Sequence, residues 1–166
     1  PVSHDSGSAI EEFHDPQYAR LRFFISTLIT SGYSGIVQGF EYVLPHKLKF
    51  INVVSTERIN FKKIPCVLFD FILRCHEFRD HYPVLNAKPQ AIFNNQSVLA
   101  IFKRDQKSEA LLLVNMNIHA TETIELLISG GLQNAAEIFN GKTSLKFQEG
   151  INTITLEPGE MRIYLA

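Results

Sequence analysis

The stretch Ser31-Gly32-Tyr33-Ser34-Gly35-Ile36-Val37-Gln38-Gly39-Phe40-Glu41 constrains the fold of this chain more than any other. It joins a segment of helical apolar period to a Gly-flanked, β-branched run that ends in a carboxylate. Upstream, Asp15 stands as N-cap before Pro16, and Tyr18, Leu21, Ile25, Leu28 and Ile29 follow at helical spacing. Gly32 supplies the stop signal. The pattern predicts a helix from Pro16 to about Ser31 and then a short buried strand over 35–40.

From Tyr42 to Asn60 no period is visible, so this span reads as an extended loop, a length usually tied to function or to a lid. Apolar residues return at helical spacing at Ile64, Val67, Leu68, Phe71, Cys75 and Phe78, which predicts a second helix from Ile64 to about Asp80. Pro65 is tolerable in its first turn, and His81-Tyr82-Pro83 ends it. Beyond Pro89 the period changes to two. Ala110, Leu112, Val114 and Met116 alternate with their neighbours, as do Ile124, Leu126 and Ile128, and Met161, Ile163 and Leu165. These read as half-buried antiparallel strands of a sandwich. Asn140-Gly141 is a hairpin signal, and Glu157-Pro158-Gly159-Glu160 fits a type II turn. The boundary between the helical and β parts is expected near Asn86 to Pro89.

With 45% hydrophobic residues in 166, the chain has enough apolar material for a real core. Its 16 basic and 17 acidic side chains are scattered, so nothing in the charge pattern favours nucleic acid or an anionic membrane. No apolar run approaches the roughly 20 residues needed to span a bilayer. Cys66 and Cys75, nine apart on the expected second helix, fall on different faces and read as two reduced, packed thiols. That usage fits a reducing, cytoplasmic compartment.

The order of elements and several local motifs together resemble the C-terminal part of the α-amylase superfamily, glycoside hydrolase family 13. Ser3-His4-Asp5 is similar to the His-Asp pair that ends the seventh strand of the family's barrel, and Gly35 to Glu41 to the eighth-strand motif ending Gly-x-Glu. Phe78-Arg79-Asp80-His81-Tyr82-Pro83-Val84-Leu85 resembles the end of the last barrel helix. In the β half, Ala136 to Gly141 and Leu156 to Glu160 resemble the hairpin and the last turn of the family's C-terminal domain. Within the superfamily the stretch Ser31 to Glu41 looks closest to the maltosyltransferase branch. Two departures stand out: Ser34 replaces the usual Pro of the eighth-strand motif, and Ser6-Gly7-Ser8 follows His4-Asp5.

The resemblance implies residues 1–86 as the last strands and helices of a (β/α)8 barrel and 87–166 as an all-β antiparallel sandwich. It implies an enzyme acting on α-1,4-glucans by maltosyl transfer or hydrolysis. Retaining chemistry of this kind uses a nucleophilic carboxylate and a carboxylic acid about 5 Å apart. By resemblance Asp5 is neither; it is the third carboxylate, which stabilises the transition state through sugar hydroxyls, and His4 donates to the same sugar. The nucleophile and general acid would sit on earlier barrel strands, so the chain is expected to be a piece whose partner is the missing N-terminal barrel segment. Neither a cofactor nor a metal is expected.

Plainer readings stand beside these. His4-Asp5 alone is a polar turn. Glu41 is either a hydrogen-bonding partner at the barrel mouth or a solvated charge. Tyr33, Phe40 and Tyr42 either stack on sugar or belong to the core, and His46 and Lys47 either touch glucan or face water. An alternative function is a non-catalytic glycan-binding module built on the β half, which requires exposed aromatics on one sheet face. Tyr164 lies opposite Met161, Ile163 and Leu165, while Phe102 and Phe139 are not easily assigned. A barrel relative without catalytic groups, serving as a partner subunit, is a third reading.

Overall fold

The alternation of apolar side chains in the second half produces two antiparallel sheets, and the helices of the first half lie against one of them. The structure, a computed structural model, describes residues 10–11, 14–36, 39–44, 59–95, 97–141 and 146–166. The strands are β1 (Gln90–Asn94), β2 (Val98–Arg104), β3 (Glu109–Asn115), β4 (Glu122–Ile128), β5 (Ala136–Glu137), β6 (Gly150–Leu156) and β7 (Met161–Leu165). An inner sheet has the order β1-β2-β3-β7-β5, and an outer sheet pairs β4 with β6.

Strand β4 behaves as its sequence predicts, with Ile124, Leu126 and Ile128 buried and Thr123, Glu125 and Leu127 exposed. Strands β3 and β7 do not. In β3, Ala110, Leu112 and Val114 pack toward the helices, while Leu111 and Leu113 pack toward the outer sheet. In β7, Ile163 faces the helices and Tyr164 the outer sheet, where its ring lies 4.7 Å from that of Phe147. Being half-buried is therefore corrected to being buried on both faces, because the inner sheet is the middle of three layers.

The expected hairpin at Asn140-Gly141 is also corrected. Strand β5 pairs with β7 and β6 pairs with β4, so Asn140-Gly141 joins strands of different sheets. Gly141 supplies the left-handed conformation at this point, with φ +63°. At the other crossing, the Glu160 N–H donates to the Glu157 carbonyl at 3.0 Å and Gly159 has φ +65°, as a type II turn requires. This turn carries the chain from the outer sheet to the inner one. An ion pair between Arg162 Nη2 and Glu160 Oε2 (2.7 Å) and a bond from Arg162 to the Thr155 carbonyl (2.8 Å) fasten it.

Helix α1 (Gln17–Phe24) begins where expected: the Asp15 carboxylate accepts the Gln17 N–H at 2.7 Å. It continues into a π turn, Ile25–Ile29, in which the Thr30 N–H reaches the Ile25 carbonyl five residues back. Gly32 does not end it. Thr30 turns extended (ψ 156°), and Gly32 lies beyond in a non-left-handed conformation.

Helix α2 (Phe69–His81) starts later than the apolar period predicts. Ile64, which precedes Pro65, is extended (φ −108°, ψ 127°), as the proline ring demands. Cys66 thus lies outside the helix and exposed, whereas Cys75 is fully buried, and both are free. Burial pushes the Cys75 thiol up to about 12 against a small opposing effect of Arg74. No helix among the described residues is long and apolar enough to cross a membrane.

The buried strand expected over 35–40 is not formed at its described residues. Gly35 and Ile36 lie outside regular structure and are exposed, Gly39 has φ +99°, and Phe40 begins a 3₁₀ turn, Phe40–Tyr42. A strand is held by the ladder of a neighbour, and neither sheet includes the described residues of this segment. Of the long loop, residues 45–58 lie outside the described residues, His46 and Lys47 among them.

Candidate functional site

Of the residues singled out for chemistry, His4 and Asp5 lie outside the described residues, and Glu41 is placed in full. Glu41 sits in the 3₁₀ turn, where its Oε2 accepts the Gly39 N–H at 2.9 Å. Its backbone carbonyl accepts the Leu68 N–H at 3.0 Å, at the residue that caps α2, and lies 3.7 Å from Cys66 Sγ. The half-buried side chain is thus neither free in solvent nor directed at a distant group. It closes the turn that precedes it and gives Gly39 a partner for its left-handed backbone.

The three aromatics separate. Phe40 is core, its ring 5.8 Å from that of Phe23, and Tyr42 packs 4.9 Å from Phe61. Tyr33 is fully exposed.

The end of the α1–π unit is the most heavily bonded place near this segment. A helix leaves its last carbonyls without intrahelical partners, and here two cations take them. Arg79, in the last turn of α2, donates through Nη1 to the Thr27 carbonyl at 3.0 Å, through Nη2 to the Gly32 carbonyl and through Nε to Asn86 Oδ1 at 2.7 Å. Lys103 of β2 donates to the Leu85 and Thr30 carbonyls. Thr27 is fully buried, and its hydroxyl lies 2.6 Å from that of Ser34.

Lys103 is fully buried, and sequence reasoning passed over it. The signal was present: period two puts Lys103 on the face of Leu99 and Ile101, which pack toward the helices. Burial, with a smaller contribution from the charge of Arg79, pulls its ammonium down to about 8. Between pH 8 and about 10.5 the folded chain has lost this proton while the unfolded chain still holds it. Stability from this group therefore rises with pH across that window. A neutral amine keeps two N–H groups, enough for both carbonyls. Lys103→Met is expected to remove the rise, seen as a wild-type-minus-mutant difference in urea unfolding that changes between pH 7.5 and 10.5. A difference independent of pH would show that Lys103 does not titrate there.

A groove of about 550 Å³ runs beside the end of α2, lined by Glu77, Phe78, Asp80, His81 and Tyr82. It does not include Glu41. Among the described residues no group of three or more His, Cys, Asp and Glu is placed to hold a metal ion. The aromatics that a glycan-binding face would need lie elsewhere. Tyr164 and Phe139 are 1% and 2% exposed, and the outer face of β4 and β6 presents Thr123, Glu125, Leu127, Ile151, Thr153 and Thr155.

Compared with solved structures, the chain is similar to an Anoxybacillus α-amylase over 98% of its length (TM-score 0.74, 16% identity). It is likewise similar to the γ-CGTase of alkalophilic Bacillus clarkii over 98% (TM-score 0.73, 18% identity), and to the α-amylase of Geobacillus thermoleovorans complexed with acarbose over 95% (TM-score 0.71, 13% identity). Its structural neighbours include several α-amylase-family enzymes. At these identities the likeness is one of fold, and the antiparallel sheets are consistent with a C-terminal β-domain. The chain covers 36%, 25% and 35% of these three proteins, so it spans roughly a third of their length. No protein-family model matches the chain, and no curated protein matches it significantly.

Proposed function

We propose that this chain is the C-terminal part of an α-amylase-family retaining glycosidase or glycosyltransferase that acts on α-1,4-glucans, by hydrolysis or by maltosyl transfer. The observation that carries this reading is the fold likeness to α-amylase-family enzymes along nearly the whole chain. The order of motifs, from His4-Asp5 through Gly35–Glu41 to the Glu157–Glu160 turn, points the same way. In this reading residues 1–86 close the catalytic barrel, 87–166 form the β-domain, and a reducing, cytoplasmic compartment is proposed, which two free thiols suit.

The division of labour follows from the chemistry. The nucleophile and the general acid belong to the preceding barrel segment, since barrel enzymes draw catalytic groups from the ends of several strands. Asp5 accepts hydrogen bonds from sugar hydroxyls that tighten as the ring approaches an oxocarbenium ion, and His4 donates to the same sugar. Glu41 holds the turn at the margin of the site without touching sugar.

The full-length protein should convert maltooligosaccharides to products of retained α configuration, followed by proton NMR of the anomeric signals before mutarotation. The 166-residue chain alone should give none. Turnover by this piece alone, or inverted products from the whole, would refute the proposal. Retardation of the isolated β half by soluble starch in affinity electrophoresis would favour the binding module instead, although the burial of Tyr164 and Phe139 speaks against it.

A further inference from the structure

The segment Gly32–Glu41 is fastened at both ends to the same helix. At its start, Arg79 in the last turn of α2 holds the Thr27 and Gly32 carbonyls. At its end, the Glu41 carbonyl accepts the N–H of Leu68, the residue that caps α2. Leu68 and Arg79 are eleven residues apart, which along a helix is about 17 Å. Gly32 therefore lies beside the C-terminal end of α2 and Glu41 beside its N-terminal end. The helix acts as a ruler that sets the distance and direction between two anchor points.

Two further groups act at and just before the start of the segment. The Ser34 hydroxyl meets that of buried Thr27, and Lys103 reaches the Thr30 and Leu85 carbonyls from strand β2 of the inner sheet. Between Ser34 and Gly39 the described residues Gly35 and Ile36 are exposed and lie outside regular structure.

We infer that Arg79 and Lys103 are positioning residues: they orient the stretch 27–36 through its Thr27, Thr30 and Gly32 carbonyls, and through Lys103 the β-sandwich contributes to that orientation. Arg79 does this through a planar fork that serves Thr27, Gly32 and Asn86 at once, which a lysine ammonium cannot match. The catalytic consequence rests on the proposed function: a displaced stretch would shift the residues it is proposed to place at the margin of the barrel site, and misplacement by about 1 Å costs on the order of 10²-fold in rate.

The test uses the full-length protein with Arg79→Lys, Lys103→Met and Ser34→Ala, the last a mild change that loses only the hydroxyl pair. Hydrogen exchange by mass spectrometry is read for peptides covering 27–36 and for β3, alongside kcat and KM on maltooligosaccharides. Exchange should quicken at least tenfold in 27–36 with β3 unchanged, and kcat should fall more than KM rises, in the order Arg79→Lys and Lys103→Met before Ser34→Ala. Unchanged exchange in 27–36, or parallel quickening in β3, would overturn the inference, since the second is a general loss of stability. If exchange loosens locally but the wild type has no activity on α-glucans, the proposed function fails and the positioning role stands. An active wild type with unchanged kcat in all three variants would reject the catalytic consequence.

Discussion

On the proposed function, Asp5→Asn in the full-length protein is expected to lower kcat by on the order of 10²–10³-fold, the range observed when one preorganised group facing transition-state charge is lost. A carboxylate that accepts hydrogen bonds from sugar hydroxyls grips them harder as positive charge develops on the ring, so its removal costs more in the transition state than in the ground state. KM should therefore change much less than kcat. Asparagine keeps the shape and one acceptor oxygen but loses the charge, so thermal stability should move little. Steady-state kinetics with a thermal melt on the same sample decide the matter. Normal turnover would remove Asp5 from the mechanism, and a kcat loss matched by unfolding would make its role structural.

Phe139→Ala is expected to destabilise the chain by about 3–5 kcal/mol, the range for deleting a fully buried aromatic. Phe139 follows β5, in a turn held by Glu137, whose Oε1 accepts the N–H groups of Phe139 and Asn140, each at 2.9 Å. Its ring is thereby driven out of the β-domain into the helical layer. There its centroid lies 5.1 Å from that of Phe24, 6.2 Å from Phe71 and 5.3 Å from Phe78, all in edge-to-face arrangement, with the Arg74 guanidinium 4.5 Å away. One side chain thus joins α1, α2 and the sandwich. Phe139→Leu should cost clearly less, because it keeps most of the volume while losing the ring contacts. Urea unfolding of the three proteins measures both. A loss below about 1 kcal/mol for the alanine variant would mean that the helices pack on the sheet without this anchor.

Sequence patterning carried furthest where a residue's environment is decided locally. The alternation of β4 and the turn chemistry of Glu157–Glu160 needed no distant partner, and both formed as read. Strands β3 and β7 were read as one-sided because an apolar residue on the second face looks like noise until a second layer is known to cover it. Leu111, Leu113 and Tyr164 are the residues that show the cover. At Gly35, Ile36, Gly39 and Phe40 the strand expected over 35–40 is not formed, for the opposite reason: a β-branched run is a local preference, and a strand needs a ladder that local preference cannot supply.

At the site, the motif containing Arg79 was legible as a likeness, but its task was not, since the carbonyls it holds lie 52 and 47 residues away. Lys103 was missed although its face was predictable, because a cation among apolar residues is normally read as a strand end reaching water. Its carbonyl acceptors, Leu85 and Thr30, become neighbours only in the folded chain.

The place of β7 between β3 and β5 also bears on how the chain assembles during synthesis. Strand β5 has left the ribosome some twenty-five residues before the strand against which it pairs, and β3 faces a missing neighbour for longer still. The inner sheet cannot close progressively from its N-terminal side. Until Met161–Leu165 emerge, the nascent chain carries an open edge along β3 and an unsupported β5, which is the interval in which it most needs protection from aggregation.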